Sequence, residues 1–328
     1  EDMVITVTSS GYVKRSPLSL YRAQGRGGKG RTGMTTKDGD FVEHLFVASA
    51  HSYVLVFTQS GRVFWIKVHE IPQAGPAAKG KAIVNLLNLE GSDEIATTIA
   101  VRDFAADRYL VFATEKGQIK KTPLSEYGNP RAGGIIAINL DEGDRLLSVK
   151  NTDGSKHLFL ATADGKSIRF PEADCRSMGR ATGGVRGISL RKGDRVIGME
   201  ALEKEGAILT AAERGVGKRT PIAEYREQGR GGLGVINLKV SAKTGKVIGI
   251  AQVLPGDQLI LITQEGMIIR TAVDGIREIG RSTQGVRLIN LEGDDRLVAI
   301  AKVLERDDDP EGLAELPPEE DEPQGTIE

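Results

Sequence analysis

A single cysteine, Cys175, and a single tryptophan, Trp65, stand in 328 residues, and aromatic residues make up only 5% of the chain. One cysteine excludes an internal disulfide, and the four histidines, His44, His51, His69 and His157, are not spaced as metal ligands. No apolar run approaches the roughly 18 residues of a membrane span. Glu1-Asp2-Met3-Val4 has neither the basic nor the apolar character of a secretory leader. The expectation is a soluble, non-exported chain without a metal. The lone tryptophan also excludes a propeller built on Trp-Asp signatures.

The net charge of −1 conceals a segregation. Residues 305–328 hold 11 of the 45 acidic residues and one of the 44 basic ones, leaving 34 acidic against 43 basic residues over 1–304, a net of +9. A basic body with an acidic tail points to a nucleic-acid partner, with the tail competing for the same surface. The tail, with Asp307-Asp308-Asp309 and Pro317-Pro318-Glu319-Glu320-Asp321-Glu322-Pro323, has too little apolar content to offset ordering entropy and is expected to be disordered.

What the body does have is 41 glycines in the whole chain and a repeat. Six units, about 4–53, 54–108, 109–156, 157–206, 207–257 and 258–304, share an apolar run, a glycine turn, a basic run, a Gly/Arg loop and two further apolar segments. The turn glycines are Gly11, Gly61, Gly117, Gly165, Gly215 and Gly266, separated by 50, 56, 48, 50 and 51 residues. In the third unit Tyr109-Leu110-Val111-Phe112 and Ile119-Lys120-Lys121-Thr122-Pro123 read as a hairpin. Ile138-Asn139-Leu140 and Leu146-Leu147-Ser148-Val149 read as two more strands of the same unit. Unit one departs most, because no Asn-Leu follows its loop. Six four-stranded units that cannot each bury an apolar face predict an all-β, six-bladed propeller, closed or spiral. A β-solenoid is the alternative, but its repeats usually run shorter.

The first loop reads Gln24-Gly25-Arg26-Gly27-Gly28-Lys29-Gly30-Arg31-Thr32. Gly25, Gly27 and Gly30 satisfy the dinucleotide fingerprint, and the stretch approaches a P-loop, yet no helix pattern follows, and both sites need a helix N-terminus. Turns between blades explain the glycines but not the cations. A phosphate clamp explains both: glycine lets backbone N–H groups approach a phosphate chain, and Arg26, Lys29 and Arg31 add charge-assisted hydrogen bonds.

Here the sequence resembles a family. Gln24 to Gly30 resembles the box of DNA gyrase A proteins, usually Gln-Arg-Arg-Gly-Gly-Lys-Gly, with Gly25 replacing a basic residue. The repeat resembles that family over residues 4–304. The resemblance implies a six-bladed β-pinwheel, a propeller variant with duplex DNA wrapped around its perimeter and anchored by the box. It also implies an assembly with the N-terminal part of gyrase A and with gyrase B as a heterotetramer of the bacterial cytoplasm. ATP and Mg2+ would be used elsewhere in that enzyme and no cofactor in this domain, which would itself be monomeric and non-catalytic. The equivalent domain of topoisomerase IV usually has a degenerate box, which the near-intact Gln24–Gly30 disfavours.

A wrapped duplex touches every blade, so each unit should offer cations at equivalent places. The returning strand carries Lys14-Arg15, Arg62 and Lys67, Lys120-Lys121, Lys166 and Arg169, Lys218-Arg219, and Arg270. The loop carries Lys79 and Lys81, Arg131, Arg176 and Arg180, Arg230, and Arg281. Exposed lysine and arginine are individually ordinary, but their recurrence in all six units favours a continuous rim. Without a recognition helix or stacking platform, binding is expected to the duplex backbone. A scaffold propeller for an acidic protein would also explain a basic surface. An enzyme propeller would need a cluster of Asp, Glu or His that breaks the repeat, and none is present.

Overall fold

The computed structural model describes residues 2–17, 42–75 and 78–302, and among them the only helical segments are 3-10 turns of three or four residues. Each hairpin is made at a turn glycine. In the third blade Tyr109–Thr114 reverses at Gly117 into Gln118–Pro123. Thr114, three residues before that glycine, accepts the backbone N–H of Gln118 on its hydroxyl at 3.1 Å. Thr8, Thr58, Thr162 and Thr263 do the same in four other blades, and Ala212 takes the place in the fifth. The threonine supplies an acceptor for a turn N–H that the ladder leaves over.

Five sheets have four strands, but the fourth belongs to the following repeat. Blade three is Leu146–Thr152, Tyr109–Thr114, Gln118–Pro123 and then Val185–Arg186 from unit four. Likewise Lys81–Ala82 completes blade one, Ile135–Ile136 blade two, Val235–Ile236 blade four and Val286–Arg287 blade five. The sixth sheet, Ile268–Ala272, Gln258–Thr263 and Leu297–Lys302, has three strands among the described residues. Unit three thus supplies four strands as expected, but one of them, Ile135–Ile136, completes the preceding blade and not its own. Ile138-Asn139-Leu140 is no strand, because this segment docks on the preceding blade's turn. The N–H groups of Ala137 and Ile138 both donate to Gly61 O, at 2.8 and 3.2 Å, and the arrangement recurs on Gly117, Gly165 and Gly215. At Gly165 (φ 87°) a Cβ would lie 2.1 Å from Leu238 O, so the turn and the docking both require glycine.

The core lies in the seams between blades. Alternation along Tyr109–Thr114 sends Leu110 and Phe112 into the seam with blade two, beside Leu55 and Phe57, and Val111 and Ala113 into the seam with blade four. Phe57 and Phe112 meet edge to face at 5.5 Å, and Phe159 meets Tyr225 at 4.9 Å two seams further on, between blades four and five. Both faces are buried, which is why these strands read as continuous apolar runs. Each such phenylalanine contributes roughly 1.5–3 kcal/mol. Ile95–Val101, Leu146–Thr152, Val196–Leu202, Val247–Val253 and Leu297–Lys302 touch in succession as an inner wall, which leaves the donated two-residue strands on the outer edge.

Candidate nucleic-acid interface

Gln24, Gly25, Arg26, Gly27, Gly28, Lys29, Gly30 and Arg31 lie outside the described residues, as does the acidic tail. The other expected cations fall into three environments.

The first is four residues after the turn glycine. Arg15 Nε donates to Ile71 O at 2.5 Å, Lys121 Nζ to Glu172 O at 3.3 Å, and Arg219 Nε to Ile276 O at 2.8 Å. Arg169 Nη1 reaches Tyr225 O at 3.0 Å and Ile222 O at 3.3 Å. In each case the acceptor lies in, or just after, the 3-10 turn of the next blade. Trp65 takes the same place in blade two and donates Nε1–H to Tyr127 O at 2.8 Å. Arg270, in the last blade, bonds Gln258 Oε1 of its own hairpin. This position ties blade to blade.

The second environment, one residue earlier, corrects the expected rim. Lys120 and Lys218 are fully buried and Lys121 is nearly so. Strand alternation turns Lys120 into the seam, where Nζ donates to Ala137 O and Arg180 O at 2.5 Å each and sits 4.7 Å from the Phe112 ring. Lys218 Nζ donates to Gly280 O at 2.9 Å, Arg281 O at 2.5 Å and the Thr283 hydroxyl at 3.1 Å. Burial pulls Lys120 down to about 7, opposed by Glu126 and reinforced by Arg180, and pulls Lys218 down to about 8. Lys121 Nζ lies 4.8 Å from the Tyr109 ring. These three lysines hold blades together and do not face solvent. Lys14, half-buried, points at Gly75 O and Ala78 O at 2.9 and 3.0 Å.

The third environment is the outer edge. Lys67, Lys79, Lys81, Arg131 and Arg176 are exposed, and Lys79 Nζ sits 4.3 Å above the Tyr12 ring. Arg62 Nη2 donates to Gly133 O at 2.7 Å. Arg180, Arg230 and Arg281 each stand 15 residues after their turn glycine, as Arg26 does after Gly11. All three donate Nη1–H to the second residue of a donated strand: Ile136 O, Arg186 O at 2.7 Å and Ile236 O at 2.8 Å. A carbonyl orients a guanidinium without neutralising it, so the positive charge persists. At the hairpin-turn end, by contrast, cations meet carboxylates: Arg145 and Glu115 at 3.2 Å, Arg296 and Glu213 at 3.6 Å, Lys246 and Asp164. Sequence reading missed Arg186 and Arg287, both exposed on donated strands. Their shared place, 21 residues after Gly165 and Gly266, was the available signal. Among the described residues no helix is long and apolar enough to cross a membrane.

A family model described as DNA gyrase C-terminal domain, beta-propeller, matches six stretches: residues 2–49, 52–102, 108–153, 156–203, 207–253 and 257–303. The DNA gyrase A protein of Halalkalibacterium halodurans is 49% identical over 309 residues, covering 94% of this chain and 37% of the relative. That of Salmonella typhimurium is 44% identical over 311 residues, covering 95% and 35%. The chain thus spans about a third of the length of these relatives. Among solved structures, the C-terminal domain of DNA topoisomerase IV aligns with a TM-score of 0.82 at 29% identity, covering 92% of this chain and 93% of that one. A DNA gyrase A C-terminal domain aligns with a TM-score of 0.71 at 26% identity, covering 93% and 100%.

Proposed function

We propose, from the premise that this chain belongs to the DNA gyrase C-terminal domain, beta-propeller family, that it binds duplex DNA along its outer edge and bends it from blade to blade. The observation that carries this reading is the recurrence of cations on the returning strands and loops of successive blades, such as Arg62, Arg230 and Arg281, held by neutral carbonyls and so left charged. Such a surface attracts a polyanion through counterion release and reads no base edge. Gln24–Gly30 anchors one end of the wrap. Joined to the rest of gyrase A and to gyrase B, the domain presents a second duplex segment for passage, so that the assembled enzyme introduces negative supercoils. ATP and Mg2+ act in those other parts, and this domain performs no catalysis.

Relaxed circles nicked and resealed in the presence of the chain are expected to shift in linking number, and affinity is expected to fall steeply between about 50 and 200 mM salt. An unchanged topoisomer distribution with salt-independent affinity overturns the reading. The TM-score of 0.82 to a topoisomerase IV domain favours a second reading, in which DNA is bent without supporting supercoiling. The handedness of wrapping in the same circles separates the two.

A further inference from the structure

The outer edge holds a regularity that neither strand shows alone. In blades two to five the first residue of the returning strand lies directly opposite the second residue of the donated strand: Arg62 opposite Ile136, Gln118 opposite Arg186, Lys166 opposite Ile236, and Val216 opposite Arg287. Directly opposed residues of an antiparallel pair share one face of the sheet. It is the face opposite the one on which Ile135 and Val185 pack on the seam cores, and on it Ile136, Arg186 and Arg287 are exposed, while Val216 is partly buried against Ala212, Leu238 and Val247. Each of the four pairs therefore places one cation at the same point of its blade. Even blades take it from their own hairpin, as Arg62 and Lys166. Odd blades take it from the next repeat, as Arg186 and Arg287.

We propose that these pairs form a track of one cation per blade for the DNA phosphate backbone, with Arg186 and Arg287 as phosphate-contacting residues equivalent to Arg62 and Lys166; this rests on the duplex-binding reading above. What repeats from blade to blade is the charge of the pair and not the residue in either strand. A packing role would fix the residue type at one position, since local geometry is the same in every blade. An electrostatic role fixes only the sum. Two cations directly opposite would repel, and none would interrupt a path whose ligand carries charge at every step. Blade one departs: its opposed pair is Tyr12 and Ala82, and a cation reaches that place from Lys79, stacked over the Tyr12 ring.

The test moves a cation across the pair. Binding of the full chain to duplex DNA is measured against salt for the wild type, for R186Q/R287Q, and for the same double variant carrying Gln118→Arg and Val216→Arg, which restore the charge from the opposite strand. Each lost phosphate contact lowers the slope of log affinity against log salt by about 0.9, so the double variant is expected to lose about two units and the four-fold variant to regain them. R191Q/K192Q, which removes two exposed cations outside the register, is expected to keep the wild-type slope. Thermal unfolding of each variant confirms that it folds. A folded double variant with the wild-type slope, a four-fold variant that fails to recover, or an equal loss in R191Q/K192Q overturns the track while leaving duplex binding intact. A wild type that does not bind duplex DNA overturns both.

Discussion

The ammonium of Lys120 donates to the carbonyl of Arg180, a residue of the following repeat, at 2.5 Å, and to Ala137 O at the same distance. A lysine in a seam is thus a donor for backbone groups that have lost water. Replacing it with methionine keeps much of the volume and strands those acceptors. Lys120→Met is expected to lower unfolding free energy by on the order of 1–3 kcal/mol, read by denaturant titration. A variant as stable as the wild type would falsify that role.

Lys120 and Lys218 also make stability depend on pH. Their folded values, about 7 and about 8, lie below the usual 10.5. Between those values and 10.5 the unfolded chain binds more protons than the folded one, so stability rises with pH. Unfolding free energy, compared with that of a K120M/K218M double variant, is expected to climb from pH 7 to pH 10. A difference that stays constant or falls over that window refutes it.

Gly165 and Gly193 both have left-handed φ, 87° and 81°, yet only Gly165 meets a neighbouring carbonyl. Alanine at Gly193 carries backbone strain alone, about 1–3 kcal/mol. Alanine at Gly165 must in addition displace Leu238 O, so it is expected to lower the melting temperature more. Equal shifts for the two variants would show that the docking of the crossover does not depend on this glycine.

For the box, Arg26→Ala with Lys29→Ala is expected to abolish supercoiling by the assembled enzyme and to spare relaxation. Gel analysis of plasmid topoisomers decides it, and persistent supercoiling refutes the anchoring role.

The repeat, the glycine turns and the hairpins were legible because each is local: Gly117 and its flanking apolar runs sit within 15 residues of one another. The exchange of outer strands was not, since Ile135–Ile136 and Val185–Arg186 are two residues long and too short to show alternation. Lys120 and Lys218 looked like surface residues because the carbonyls that receive them, at Arg180 and Arg281, lie about one repeat further along the chain. The cation of the outer pair was hidden for a related reason. It moves between strands of different units, so scanning either position alone finds isoleucine, valine or glutamine as often as a basic residue.

Strand donation couples the blades mechanically. Residues 137–145 run unbroken from Ile135–Ile136, on the outer edge of blade two, to Leu146–Thr152, on the inner wall of blade three. A radial tug on one blade's perimeter is therefore delivered to its neighbour's hub, as through a row of overlapping levers. No blade can be removed without stripping the edge from the one before it. Curvature imposed at one point of the array is then a property of the whole row and not of a single joint.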